Sequence, residues 1–235
     1  MRAVEDRHWW YLGMRSIHRD VLRAARLPTN ARILDAGCGT GGNFKMFGQF
    51  GEVTGIDFSD LALELSAERG VRRLAQASVT ALSFLAETFD LVTSFDVLCH
   101  RSIGDDAVAL GEFHRILKPG GALLVQLPAL KWLEGAHDRE VHTVRRYTAD
   151  ELRDKLRAAG LAPERVTYVN GLLSPLAAAR RVAQRLVGAH GDDLGPTPPL
   201  LEAGFRGALA LERRLLQRRD MPVGVSVLAL ARRPL

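Results

Sequence analysis

Cysteine is scarce in this chain: Cys38 and Cys99 are the only two among 235 residues, with no ligand-type spacing between them. That excludes a disulfide framework and a cysteine-built zinc site, and it fits a reducing compartment, so a cytoplasmic protein is expected. Long apolar runs are missing too. Nothing approaches the roughly 18 residues of a membrane span, and the opening MRAVEDRHWW lacks the basic-then-apolar plan of a signal peptide. Internal repeats and low-complexity segments do not occur. Lysine is rare, since 28 of the 32 basic residues are Arg. The net charge of +5 has a location: residues 1–171 carry 22 basic and 22 acidic side chains, and residues 172–235 carry ten Arg against five acids. An excess confined to the last quarter leaves most of the chain neutral, so no nucleic-acid partner is expected.

What is present is a 47% hydrophobic content, enough for a substantial core, arranged as short β-rich runs alternating with helical patterns over residues 31–170. That alternation predicts a parallel sheet with crossover helices. The strand candidates are Arg32–Ala36, Glu52–Asp57, Val71–Gln76, Phe89–Phe95, Ala122–Gln126 and Arg165–Val169. Ser59 should cap a helix that Gly70 stops, and Asp105 or Asp106 should start another, carrying Ala109, Phe113 and Ile116 and ended by LKPGG. Thr148 and Glu151 read as a capping box ahead of Leu152 and Leu156. Beyond residue 170 the alternation breaks. Two helical patterns, 171–187 and 200–218, flank a turn-rich GAHGDDLGPTPP before a last strand at Val223–Ala231. We therefore divide one domain into an N-terminal cap helix (1–30), a core (31–170), a helical insertion (171–220) and a last strand (221–235).

The segment ILDAGCGTGG, residues 33–42, carries the chemistry. Gly37, Gly39, Gly41 and Gly42 follow a strand and precede a helix bearing Phe44 and Phe47. Glycines there let a ligand approach the backbone, and the start of a helix offers free N–H groups. About twenty residues on, Asp57 ends the next strand, where a carboxylate can accept both hydroxyls of a ribose. A dinucleotide's pyrophosphate wants a G-x-G-x-x-G turn, whereas this turn reads G-C-G-T-G-G behind Asp35. A carboxylate at that point would repel a pyrophosphate and help to hold an ammonium group.

The turn, Asp57, FDLVTSFDVLCH at the fourth strand and FHRILKPGGALLVQLP at the fifth together resemble the class I S-adenosylmethionine-dependent methyltransferases over about residues 31–130. The resemblance implies an α/β fold of three layers: a Rossmann-like seven-stranded sheet, mostly parallel with an antiparallel last strand, between helices. It implies S-adenosyl-L-methionine as cofactor and S-adenosyl-L-homocysteine as product, held by Asp35, Gly37, Cys38, Gly39, Gly41, Asp57, Phe58 and Phe95. HWWYLGMRSIHRDVL, residues 8–22, is similar to the opening helix of bacterial small-molecule methyltransferases, including ubiquinone-pathway O-methyltransferases. By that likeness Trp10 and Tyr11 cap the pocket and Arg15 pairs with the cofactor's carboxylate; simple packing of aromatics on the sheet is the other reading. The family's acid after the third strand is missing, so Ala77, or the side chains of Gln76 or Ser78, must contact the adenine instead.

A sulfonium methyl is already activated, so the protein mainly aligns nucleophile, carbon and sulfur and excludes water. Where the acceptor must lose a proton, histidine suits the task. His100 follows the fourth strand, and His137 and His142 follow the fifth, where ligands of open α/β sheets bind; Tyr147 is a candidate for orienting the substrate. No metal is expected, because His137, Asp138 and His142 lack further spaced ligands. The function expected is methyl transfer to O, N or C of a small metabolite, with a natural-product, phenolic or quinone-type acceptor. The alternatives are a nucleic-acid or lipid-linked methyltransferase, or a non-catalytic S-adenosylmethionine-binding protein. The base-amino enzymes' Pro-Pro-aromatic motif is replaced here by SFDVLCH. Residues 172–218 could form a lid, a dimer interface or a peripheral membrane contact, and the chain could be a monomer or a homodimer.

Overall fold

A computed structural model describes residues 2–130, 142–179 and 198–235. The elements run α1 (Arg2–Glu5), α2 (Trp9–Ala24), β1 (Ala31–Ala36), α3 (Phe44–Phe47), β2 (Gly51–Asp57), α4 (Asp60–Ala67), β3 (Leu74–Gln76), β4 (Phe89–Phe95), α5 (Asp106–Ile116), β5 (Leu117–Pro128), α6 (Ala149–Ala158), β6 (Ala162–Val169), α7 (Pro199–Leu216) and β7 (Ser226–Arg232). The seven strands form one sheet in the order β3-β2-β1-β4-β5-β7-β6. β7 is antiparallel to both β5 and β6, and the other pairings are parallel.

Period-two alternation sends each strand's side chains to two cores. Leu91, Leu124, Leu228 and Leu230 join Met14, Ile17 and Leu22 of α2, Phe47 of α3 and Leu216 of α7 on one face. Val92, Leu123, Val125, Val227 and Ala229 join Phe113 and Ile116 of α5 and Leu152 and Leu156 of α6 on the other. The result is the three-layer sandwich expected, and each fully buried large side chain contributes roughly 1.5–3 kcal/mol.

The local signals explain most element ends. The side chains of Ser59, Asp105 and Thr148 accept from the backbone N–H groups of Ala62, Ala107 and Glu151. Two strands depart from expectation. β3 is shorter, because only Leu74–Gln76 pairs with Gly55–Asp57. β5 is longer and takes in LKPGG, with a register shift against β4 between Phe89 and Leu91 and with Gly120 at φ 74°. The expected helix end is thus the bulged start of a strand.

The second insertion helix, α7, docks on α2. Phe205 meets Trp9 at 4.8 Å between ring centroids, and the Arg213 guanidinium donates to Asp20 at 2.6 and 2.8 Å. Leu209 is buried over Gly13, where a Cβ would overlap its side chain. Of the expected helix at 171–187, residues 174–179 are helical, and residues 180–187 lie outside the described residues.

Candidate functional site

The glycine turn leaves β1 between the edges of β2 and β4. Gly37, Gly39 and Gly41 have φ of 90°, 54° and 79°, a region that side chains resist. At Gly37 a Cβ would also overlap Val97, and at Gly41 it would come within 2.8 Å of Ser66 Oγ. Gly37 N and Cys38 N both donate to the Ile56 carbonyl at 2.8 Å, which ties the turn to β2. Cys38 is buried, and burial pushes its thiol pKa up. Beneath the turn, Asp35 is 2% exposed. Its Oδ1 accepts from Thr93 Oγ1 at 2.9 Å, while Oδ2 is buried with no hydrogen-bond partner among the described residues. Burial, with the nearby charge of Asp57, raises the pKa of Asp35 to about 7 despite the Thr93 hydrogen bond.

Asp57 closes one side of this cradle: Oδ2 accepts from Gly39 N at 2.8 Å and Oδ1 from Ser59 N at 2.9 Å. A carboxylate so fixed still has lone pairs for two further donors. Phe58 beside it is 69% exposed, an unusual setting for so large an apolar ring. After β3, Ala77 N donates to the Asp57 carbonyl at 3.1 Å, Ser78 Oγ pairs with Thr80 Oγ1 at 2.8 Å, and Gln76 Nε2 donates to the Phe58 carbonyl at 3.1 Å. These groups therefore share the rim with Asp57, with the Gln76 amide already engaged.

The N-terminal elements cover the other side. Glu5 is buried and accepts from Thr40 Oγ1, and from Arg69 Nη2 at 2.6 Å. Arg15 Nη1 donates to the Gly42 carbonyl at 3.2 Å and its Nη2 to the Glu5 carbonyl. A Cβ on Gly42 would lie 2.5 Å from Glu5 Oε2 and 3.3 Å from Arg15 Nη1, so Gly42 is the floor on which this cover rests. Tyr11 lies against the charges of Glu5, Asp96 and Arg15, and burial with the two acids raises its pKa to about 12. Trp10 meets Tyr11 edge-on at 4.9 Å and packs on the α2 core.

At the carboxyl end of β4 the structure assembles a group that spacing alone did not bring together. Phe95 stacks on His18 at 4.1 Å, and His18 Nε2 lies 2.8 Å from Gln126 Oε1 of β5. Gln126 Nε2 in turn donates to Asp96 Oδ2 at 3.1 Å. With the Gln126 oxygen turned to His18, the imidazole Nε2–H donates, and burial lowers the His18 pKa to about 4. Asp96 sits at φ 57°, its own N–H donating to the Gln126 carbonyl at 2.9 Å. Desolvation raises the pKa of its carboxyl to about 6, against the Gln126 hydrogen bond and the positive charge of Arg146. The residue as a whole is solvent-accessible, so solutes can reach it. Cys99 is buried just after it, and burial with the Asp96 charge raises its pKa to about 12.

The histidine candidates fall elsewhere on the rim. His100 Nδ1 accepts from Ser102 N at 3.1 Å and lies 2.7 Å from Ser102 Oγ. Its ring is 5.5 Å from that of His142, and a β-bridge joins His100 to Thr143. Burial, His142 and Arg101 lower the His100 pKa, whereas Asp57 raises it. This pair therefore borders the Asp57 end of the site; His142 itself is exposed at φ 54°. His137 and Asp138 lie outside the described residues. Tyr147 is 2% exposed inside the α5–α6 core, its hydroxyl donating to Asp106 Oδ2 at 2.8 Å with Leu98 O at 3.2 Å. Burial and Asp106 push its pKa up. Arg145 donates to the carbonyls of Ile103 and Gly104, at 2.7 and 2.6 Å, and holds that loop.

Comparison with known proteins finds likenesses over part of the chain and to its fold. Residues 34–125 match a family described as a methyltransferase domain. The chain is 36% identical over 129 residues to a demethylmenaquinone methyltransferase of Lactiplantibacillus plantarum, covering 50% of each chain. It is 37% identical over 112 residues to the demethylmenaquinone methyltransferase of Staphylococcus aureus, covering 44% of this chain and 46% of that one. The chain thus spans about half the length of the curated relatives it matches. Among solved structures, a putative methyltransferase complexed with the Haloferax volcanii Trm112 activator aligns over 99% of this chain and 93% of its own, with TM-score 0.62 and 19% identity, a likeness of fold. The [4+2]-cyclase SpnF aligns over 94% of this chain and 81% of its own, with TM-score 0.59 and 25% identity. The strand order, the glycine turn and the match over residues 34–125 agree, and this part of the chain is similar to a methyltransferase domain.

Proposed function

We propose that this chain binds S-adenosylmethionine and transfers its methyl group to a small acceptor of phenolic or quinone type. The observation that carries the reading is the cradle itself: three glycines at positive φ, with the Cβ space at Gly37 and Gly41 already taken, and Gly39 N bonded to the fixed carboxylate of Asp57. The residues present fit the cofactor. Asp57 would accept from the ribose hydroxyls, the backbone of Gly37–Gly41 would lie against the methionine part, and buried Asp35 Oδ2 offers an acceptor to its ammonium group. Arg15, already at the Gly42 carbonyl, is placed for the carboxylate. Ala77 and Ser78, at the end of β3, would border the adenine.

When bound, the cofactor supplies a methyl carbon already activated for displacement. What the chain adds is alignment and exclusion of water. The N-terminal cover held by Glu5, Arg15 and Arg69 shields the glycine turn, and the ends of β4 and β5 provide polar groups for the acceptor. The acceptor class is supported by the names of the relatives, which act on demethylmenaquinone. The fold alone would not decide it, since the similar SpnF is described as a cyclase.

The test is calorimetric titration of cofactor-free protein with S-adenosylmethionine, S-adenosylhomocysteine and NAD. Micromolar binding of the first two without NAD is expected. Binding of NAD alone would make the turn a dinucleotide site and overturn the proposal.

A further inference from the structure

We infer that Asp96 is the acceptor-facing base of this enzyme, set by Gln126 to receive the proton of a phenolic hydroxyl. The inference rests on the methyltransferase reading above and adds to it a residue and a proton path. Asp96 occupies the first position beyond β4, at the sheet edge where ligands of parallel α/β sheets bind. Its φ of 57° is a conformation that Asp and Asn adopt more readily than other side chains, and it is sparsely populated even for them. Strain of that kind persists where the surroundings hold it. Here the holding groups are visible: Asp96 N–H on the Gln126 carbonyl, Cys99 Sγ 3.2 Å from the Asp96 carbonyl, and Gln126 Nε2 on Oδ2.

The chain of donors runs one way. With His18 Nε2–H on Gln126 Oε1, the amide nitrogen of this 1% exposed side chain faces Asp96, and an ionised Asp96, which can only accept, keeps that bond. Oδ2 is thereby committed. Oδ1 has no hydrogen-bond partner among the described residues and belongs to a solvent-accessible residue. The charged and titratable groups acting around Asp96 are Tyr11 of α2, Cys99 of the following loop and Arg146 ahead of α6. Desolvation keeps its carboxyl protonation in the near-neutral range, suited to a base at physiological pH. His100, by contrast, has Nδ1 bound to Ser102 and sits by Asp57 at the ribose end.

In the step proposed, the acceptor's O–H bond breaks and its proton passes to Asp96 Oδ1. The electron pair left on the acceptor forms the new bond to the sulfonium methyl, at oxygen or, through the ring, at the adjacent carbon. The C–S pair stays on sulfur as a neutral thioether. In the carbon case the ring proton then leaves to solvent and aromaticity returns. Asp96 regains its charge by releasing the proton to water.

The test uses 1,4-dihydroxynaphthalene and its dimethyl ether as probes, with wild type, Asp96→Asn and Gln126→Met. Asn tolerates the left-handed backbone, so D96N should fold, and unchanged S-adenosylhomocysteine affinity by calorimetry will show that it has. Wild type with S-adenosylhomocysteine bound should prefer the diol to the ether by about tenfold or more, as expected for a charge-assisted hydrogen bond; D96N should lose that preference. Transfer to the diol should fall about 10²–10⁴-fold in D96N, and the acid limb of the wild-type rate profile, near pH 6, should vanish. Gln126→Met, which removes the amide's bonds to Asp96 and to His18 but keeps the Asp96 carboxylate, should keep the limb and move it to higher pH. Equal rates and equal probe preference in wild type and D96N would overturn the inference. If S-adenosylhomocysteine binds and neither probe binds nor reacts, the phenolic assignment falls. If S-adenosylhomocysteine does not bind wild type, it is the underlying methyltransferase reading that fails.

Discussion

Replacing Asp57 by Ala tests the cofactor site most directly. Its carboxylate accepts from Gly39 N at 2.8 Å and from Ser59 N at 2.9 Å, so the change should loosen the turn as well as remove the ribose acceptor. Both donors lie where water can replace the lost oxygen, since Ser59 is exposed and Gly39 half-buried. The stability cost should therefore be about 1–2 kcal/mol rather than the sum of two buried charged hydrogen bonds, or roughly 2–8 °C in Tm for a chain of this size. Binding should suffer more. Two hydroxyl-to-carboxylate bonds at about 1.5–3 kcal/mol each, halved for solvent competition at a half-buried residue, leave about 1.5–3 kcal/mol, or roughly ten- to a hundredfold in Kd. Calorimetry with S-adenosylhomocysteine on wild type, D57A and D57N separates the two effects, because the Asn oxygen can still accept one backbone N–H. D57N should melt close to wild type and bind weakly. A D57A variant that binds within about threefold of wild type would refute the assignment of Asp57 to the ribose.

Gly37→Ala should destabilise by roughly 2–4 kcal/mol, from φ strain plus overlap with Val97, whereas Gly70→Ala, at φ 83° with no neighbour within 4 Å, should cost only the strain; urea midpoints compare them. Tyr147→Phe should lower stability by about 1–3 kcal/mol, through loss of a buried hydrogen bond to Asp106. It should leave S-adenosylhomocysteine affinity unchanged, and a large affinity loss would return Tyr147 to the site. The folded-state pKa of His18 is depressed to about 4 from 6.5, so the unfolded chain binds the extra proton first. Its contribution is full above pH 6.5 and is lost as pH falls towards 4, by on the order of 3 kcal/mol. Asp35 and Asp96, with raised pKa values, act in the opposite sense over the same window. The check is therefore a difference: the drop in urea midpoint from pH 7 to pH 5 should be smaller in His18→Asn than in wild type, and an equal drop would contradict the burial argument.

Much of the fold was legible because its signals are local. Alternating strand runs, the side-chain caps at Ser59, Asp105 and Thr148, and glycine stops each act within a few residues. LKPGG misled because Gly120 at φ 74° suits a helix end and a β-bulge equally, and only pairing of Leu117 with Phe89 distinguishes them. The glycine turn and Asp57 were legible for the same reason as the caps: both sit at strand ends, whose position follows from the alternation.

Asp96, Gln126 and His18 were not, although Asp96 stands inside the quoted FDLVTSFDVLCH and the other two inside segments already singled out. A hydrogen-bonded run from residue 18 through residue 126 to residue 96 has no sequence spacing to announce it. It exists because parallel β4 and β5 end side by side and α2 lays His18 across both. The same holds for the cover formed by Glu5, Arg15 and Arg69 over Gly42, and for Tyr147, whose hydroxyl turns inward to Asp106. Sequence alone determined the strand-and-turn framework and where the glycine turn and Asp57 lie in it, since backbone conformation and strand ends are set by neighbours along the chain. Which polar groups meet at the ends of β4 and β5, and which turn away into the core, was decided only by the order in which the strands lie in the sheet, because side chains distant in sequence feel one another's charge only once that order is in place.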